Sequence, residues 1–185
     1  MTARNSGSNR IEEKADEVVE RAGVTRPAIP VSKIARNAGI QVKPSMLGDD
    51  VSGLLVLDDG KPRIGYNEHH ANVRQRFTIA HELGHFLLHD KSRELFIDKR
   101  YPATFRRDEQ SSEGKCRRER EANAFAAALL MPCAMIEREI DARGFDLADG
   151  SALSDLADLF EVSRQAMAFR LANSGIFGPA TEYVD

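Results

Sequence analysis

The stretch Arg76-Phe77-Thr78-Ile79-Ala80-His81-Glu82-Leu83-Gly84-His85-Phe86-Leu87-Leu88-His89 decides how the rest of the chain is read. Its apolar residues nearly encircle a helix running from Asn72 to His89. A helix that is apolar all round is buried, so this one is expected at the centre of the fold. Within it, His81 and His85 stand at i and i+4, one turn apart on one face. Two imidazoles so placed give a tetrahedral zinc two of its nitrogen donors. Glu82 follows the first histidine and points off that axis, towards the water that zinc activates. His81 and His85 are thus expected as zinc ligands and Glu82 as the general base. A buried helix carrying two histidines and a glutamate by chance is the plainer reading, but burying them without partners is costly. Gly84 inside the helix costs roughly 1 kcal/mol against alanine, so its missing side chain is expected to admit a close approach.

A catalytic zinc needs a third protein ligand. The helix expected over Arg117 to Leu130 offers two carboxylates, Glu119 and Glu121. Its face of Ala122, Phe125, Ala126, Leu129 and Leu130 suits packing against the first helix. Glu119 and Asn123 are neighbours at i and i+4, so Glu119 can bind metal while Asn123 orients a ligand from behind. Glu121 would form a different pair. At this point Glu119, Glu121 and a residue elsewhere all remain open.

Outward from these helices, Ile11 to Ala22 has helical spacing and ends near Gly23. Val31 to Ala38 reads as a short helix closed by Gly39. Ile40 to Lys43, Val51 to Leu57 and Pro62 to Tyr66 read as strands, the last two joined by an Asp59-Gly60 hairpin turn. They predict a small antiparallel sheet of about three strands. Residues 91–118 are irregular and polar, and 91–120 hold ten Lys/Arg against six Asp/Glu. That stretch reads as a mobile loop or lid, in which Tyr101 or an arginine is a candidate for stabilising an oxyanion. A helix from Ala134 to Ala142 is expected to stop at Gly144. The expected class is α+β, a mainly helical zincin-like core with that sheet and a C-terminal helix-turn-helix-like hairpin. The expected bounds are 1–10 for a disordered N-terminus, 11–145 for a zinc peptidase domain, 146–175 for the helical segment and 176–185 for a tail.

The first motif helix resembles the signature helix of the ImmA/IrrE family of metallopeptidases. So does Glu119-Arg120-Glu121-Ala122-Asn123-Ala124-Phe125-Ala126-Ala127-Ala128-Leu129-Leu130-Met131-Pro132, in the right order and at a suitable distance. The resemblance covers roughly Ile11 to Gly175. It implies a zinc site similar to that of thermolysin-like peptidases, with Glu119 as third ligand and Asn123 behind it. It also implies cleavage of helix-turn-helix repressors, so a DNA-binding protein is the expected substrate. Some members carry a large sensory domain after the peptidase; 185 residues are expected to be too few for one.

The other histidines are more ambiguous. His89 lies four residues past His85, where it can support the site or cap the helix C-terminus. His69 and His70 precede the helix in a loop and are expected to face solvent. Cys116 and Cys133 are too few for a disulfide scaffold, and Cys133 reads as a small buried group. Ser154 to Leu171 resembles a helix-turn-helix, with Ser163 capping its second helix and Arg164, Gln165 and Arg170 offered to a groove. Against direct DNA binding, residues 137–161 hold eight acids and two bases, whereas phosphate contact needs the opposite. Packing on the peptidase is the blander reading. Net charge is −3, no apolar run is long enough to span a membrane, and the first ten residues lack a secretory core. A cytoplasmic zinc metalloendopeptidase is therefore expected. A DNA-binding or antitoxin-like regulator with a structural metal site is the alternative.

Overall fold

The structure, a computed structural model, describes residues 6–58, 61–89, 95–99, 111–145 and 150–176. The motif helix is α3 (Asn72–Leu88), preceded by α1 (Ser6–Arg21), α2 (Val31–Asn37), β1 (Gln41–Ser45), β2 (Val51–Asp58) and β3 (Lys61–Asn67). After it come β4 (Leu95–Lys99), α4 (Ser111–Leu130), α5 (Cys133–Arg143), α6 (Gly150–Phe160) and α7 (Arg164–Ser174). The α+β class expected from the sequence is the one observed. As expected, α3 is central: Thr78 to His85 are all buried. It lies between the sheet, on its β2 and β3 side, and α4.

The sheet differs from the expectation. Among the described residues it has four strands in the order β1-β3-β2-β4, and β1 pairs with β3 in parallel. The reason is the path of the chain. β2 and β3 form an antiparallel ladder that ends on Asp58 opposite Lys61; the Asp59-Gly60 turn itself lies outside the described residues. Residues 46–50 carry the chain from β1 past one strand position before β2 begins. β3 then returns into the gap, antiparallel to β2 and so parallel to β1. Buried Asn67 holds this crossover, since its Nδ2 donates to the carbonyls of Leu47, Gly48 and Val51 at 3.3, 3.2 and 3.0 Å. On the opposite edge, β4 pairs antiparallel with β2. The loop expected over 91–118 thus contains a strand, and α4 starts at Ser111, earlier than expected. The apolar triplet Leu95-Phe96-Ile97 is the signal for β4. Tyr101 lies outside the described residues.

The helix ends follow local chemistry. Gly23, Gly39, Gly144 and Gly175 adopt positive φ where α1, α2, α5 and α7 stop, a backbone region that glycine enters without a Cβ clash. Ser163 Oγ accepts a hydrogen bond from Ala166 N at 3.1 Å and so caps α7. Helix α1 begins at Ser6, inside the stretch expected to be disordered.

One apolar cluster joins these elements. It includes Ile29 and Ile34 near α2, Leu83 in α3, Phe125 and Leu129 in α4, Ile136 in α5, Leu156 and Phe160 in α6, and Met167 in α7. The C-terminal hairpin therefore shares the core, as the packing reading anticipated. Arg170, which the DNA-reading alternative offered to a groove, is buried. Its Nε donates to Met131 O at 2.8 Å, and its guanidinium pairs with Glu12 of α1. A buried guanidinium needs partners, and the carbonyl that closes α4 together with the α1 carboxylate supplies them. Arg76, at the start of α3, similarly donates to Ile29 O at 2.9 Å and pairs with Glu161 at 3.1 Å.

Candidate metal centre

Two glycines set the depth at which α3 sits. A Cβ on Gly84 would stand 3.1 Å from Phe125 Cδ1 and 3.2 Å from Ala122 Cα. Its absence lets α3 and α4 pack backbone to backbone, the close approach expected from the sequence. A Cβ on Gly53 of β2 would collide with Thr78 and stand 3.4 Å from Glu82 Oε1. Gly53 therefore lets the sheet receive Thr78 and Glu82, one helical turn apart on α3. A glycine inside a strand is a recognised mark of such an approach, yet the sequence reading passed it over.

With α3 pressed against α4, His81, His85 and Glu119 converge. His81 Nε2 and His85 Nε2 are 3.0 Å apart, and Glu119 Oε2 lies 3.3 and 3.5 Å from them. Zinc bonds of about 2.0–2.1 Å in a tetrahedron require donor atoms about 3.4 Å apart. The three separations bracket that value, and two imidazoles with one carboxylate are a donor set that zinc takes. The residues present therefore fit the ion. Behind His81, the Nδ1 atom lies 2.9 Å from Asn123 Oδ1. An amide oxygen only accepts, so His81 carries its proton on Nδ1 and presents a lone pair at Nε2.

Glu82 is fully buried against β2. Glu121, the other acid considered as a ligand, is not in the cluster. Its Oε2 lies 3.1 Å from His89 Nε2 and its Oε1 accepts from Arg117 Nε at 2.9 Å. Burial would raise its carboxyl, but these two partners hold it below the usual range. His89 ends α3, and its ring Nδ1 faces His85 Nδ1 at 3.1 Å. Neither His89 nor Arg117 had been tied to Glu121 from the sequence: the His89 pairing crosses between two helices, whereas Arg117 lies one turn before Glu121 on α4 at a spacing that was open to reading. His69 is exposed and His70 half-buried. Cys133 is half-buried beside Glu12 and takes no part in the site.

Comparison with known proteins agrees with this geometry. Residues 35–172 match the profile of peptidase M78, described as the IrrE N-terminal-like domain. The chain belongs to this family. It is similar to the radiation response metalloprotease IrrE of Deinococcus radiodurans, at 37% identity over 98 residues. That match takes in 53% of this chain and 27% of the relative, so the chain spans about a quarter of that protein's length. It also resembles the solved structure of a Mycobacterium tuberculosis transcriptional regulator with a TM-score of 0.63. That alignment covers 89% of this chain and 46% of the other, and at 18% identity the likeness is one of fold. The metalloprotease family is of the zinc type, in keeping with the donors grouped here. Among the described residues no helix is long and apolar enough to cross a membrane.

Proposed function

We propose that this M78-family chain is a zinc metallopeptidase that cleaves a peptide bond in a regulatory protein. His81, His85 and Glu119 hold the ion, Glu82 is the general base and Asn123 orients His81. The convergence of two imidazole nitrogens and one carboxylate oxygen on a single point carries the reading.

A bound zinc ion supplies Lewis acidity to the scissile carbonyl and to water. The chain's own residues do the rest. Asn123 keeps the His81 lone pair aimed at the shared point. Glu119 contributes a carboxylate oxygen to the same point. Glu82 accepts the proton of the attacking water and passes it to the departing amine.

A DNA-binding repressor of the helix-turn-helix type is the substrate class that the family resemblance implies. A relative named for a radiation response supports a regulatory target. Such a substrate places the activity in the cytoplasm. The burial of Arg170 favours α6 and α7 as a helical segment packed on the peptidase unit rather than as a DNA reader.

The test is co-expression with a helix-turn-helix protein encoded beside this chain's gene, followed by mass spectrometry of the products. His81→Ala is expected to lose zinc and cleavage together. Glu82→Gln is expected to keep zinc and lose cleavage. A Glu82→Gln protein that cuts at the wild-type rate sinks the assignment of the base.

A further inference from the structure

A row of side chains extends away from the metal donors. It starts on His85 Nδ1, the ring nitrogen opposite the one that faces Glu119. His89 Nδ1 lies 3.1 Å from it, and His89 Nε2 lies 3.1 Å from Glu121 Oε2. Arg117 Nε closes the row on Glu121 Oε1 at 2.9 Å. The His89 side chain is only 5% exposed, whereas Arg117 is 75% exposed. The row thus runs from the buried site to the surface of α4.

The proton positions along this row are fixed by its outer end. Glu121 is a carboxylate and only accepts. His89 Nε2 must therefore carry the proton of that bond. A neutral imidazole has one protonated nitrogen, which leaves a bare Nδ1 on His89. Two facing ring nitrogens bond only when one donates, so His85 Nδ1 is the donor. His85 Nε2 then presents its lone pair to the point it shares with His81 and Glu119. The opposite tautomer would point an N–H there and block an ion.

We infer that His89 and Glu121 are positioning residues that fix the tautomer and ring orientation of His85 and so tighten zinc binding. This rests on the reading of His81, His85 and Glu119 as the metal donors. Asn123 does for His81 what this longer relay does for His85. The helix-ending role of His89 is separate, because its backbone N–H, not its ring, bonds to His85 O at 3.2 Å. A ring that only filled space would leave zinc affinity unchanged in any folded variant.

The experiment is a competition of Zn2+ against a chelator, on the purified full chain, with circular dichroism to establish folding. His89→Phe is expected to weaken zinc binding by about 10–100-fold, the usual effect of removing a ligand's outer partner. His89→Gln is expected to recover most of that loss, because its amide can accept from His85 and donate to Glu121. Glu121→Ala, on the more exposed helix, is expected to weaken binding by about tenfold. Nitrogen-15 spectra of the wild type should show His89 protonated on Nε2 and His85 on Nδ1. If the wild type binds no zinc, the donor reading falls and the relay with it. If it binds zinc and folded His89→Phe and Glu121→Ala bind as tightly, the relay alone falls. Should His89→Phe not fold, Glu121→Ala and the wild-type proton positions decide: equal affinity, or a proton on His89 Nδ1, overturns it.

Discussion

Asn123 Oδ1 stands 2.9 Å from His81 Nδ1, while Glu119, one turn earlier on the same helix, reaches the opposite nitrogen of that ring. One imidazole is thereby held at both nitrogens by a single helix. Asn123 is itself exposed, so removing its amide should cost little stability. Asn123→Ala is expected to weaken zinc binding about 10–100-fold and to leave the melting temperature of the metal-free protein unchanged. Asn123→Asp, which still accepts from Nδ1, should restore most of the affinity. Chelator competition and a thermal melt of the metal-free protein check both statements. Equal affinity in the alanine variant refutes the orienting role.

Gly53 offers a sharper test of how α3 is seated. Even one methyl there meets Thr78, the carbonyl of Gly65 and the Glu82 carboxylate. Gly53→Ala is expected to destabilise the protein by about 1–3 kcal/mol, the range for overpacking. Gly84→Ala gains up to about 1 kcal/mol of helix propensity, which offsets part of its clash with Phe125 and Ala122. Its net loss should therefore be smaller. Denaturant midpoints of the two variants settle the order, and a Gly53→Ala protein as stable as wild type contradicts the packing described.

Arg170 should behave as a structural residue. It bonds to Met131 O and pairs with Glu12 across a buried contact. Truncating one member of such a pair leaves an uncompensated buried charge and costs about 3 kcal/mol or more, somewhat less here because Glu12 is 31% exposed. Arg170→Ala should therefore lower the melting point. A gel shift with DNA from the chain's own upstream region should show no specific binding in either protein. Specific binding that Arg170→Ala abolishes without loss of stability would restore the groove-reading role.

Cys133 supplies a pH signature. Burial pushes its thiol up to about 11; Arg170 opposes the rise and Glu12 adds to it. The raised value means that the folded state holds this proton more firmly than the unfolded chain. The associated stability is present below the ordinary value of 9.0 and is lost as pH climbs through about 11. Alkylation of Cys133 by iodoacetamide should accordingly be slow at pH 7.5 and accelerate towards pH 11, as followed by peptide mass spectrometry. Rapid labelling of Cys133 at pH 7.5 in the folded protein contradicts this.

The sequence is a good guide where the governing forces are local. The period of Phe77, Ala80, Leu83 and Leu87 gave α3, Gly144 and Ser163 marked helix ends, and the i, i+4 spacing of His81 and His85 marked the site. Glu119 was separated from Glu121 by family resemblance, and the geometry then gathered Glu119 with the histidines. What stayed hidden depends on pairings between distant segments. Nothing in Gln41 to Ser45 says that β3 will return beside it in parallel. Nothing near Arg170 says that Glu12 and Met131 O will bury it. The His89–Glu121 contact likewise exists only after α3 and α4 dock. Gly53 and the Leu95-Phe96-Ile97 run were readable, but each needed a partner element in view before its meaning was plain.

The helices that carry His85 and Glu119 meet at Gly84, so the proposed zinc site would give the ion a mechanical role besides a chemical one. An ion held there is a cross-link from His85 to Glu119 that closes the whole intervening segment, β4 included, into a ring. Stability should then grow with the logarithm of free zinc once that exceeds the dissociation constant, so the melting temperature of the intact chain becomes a gauge of how much zinc its surroundings supply.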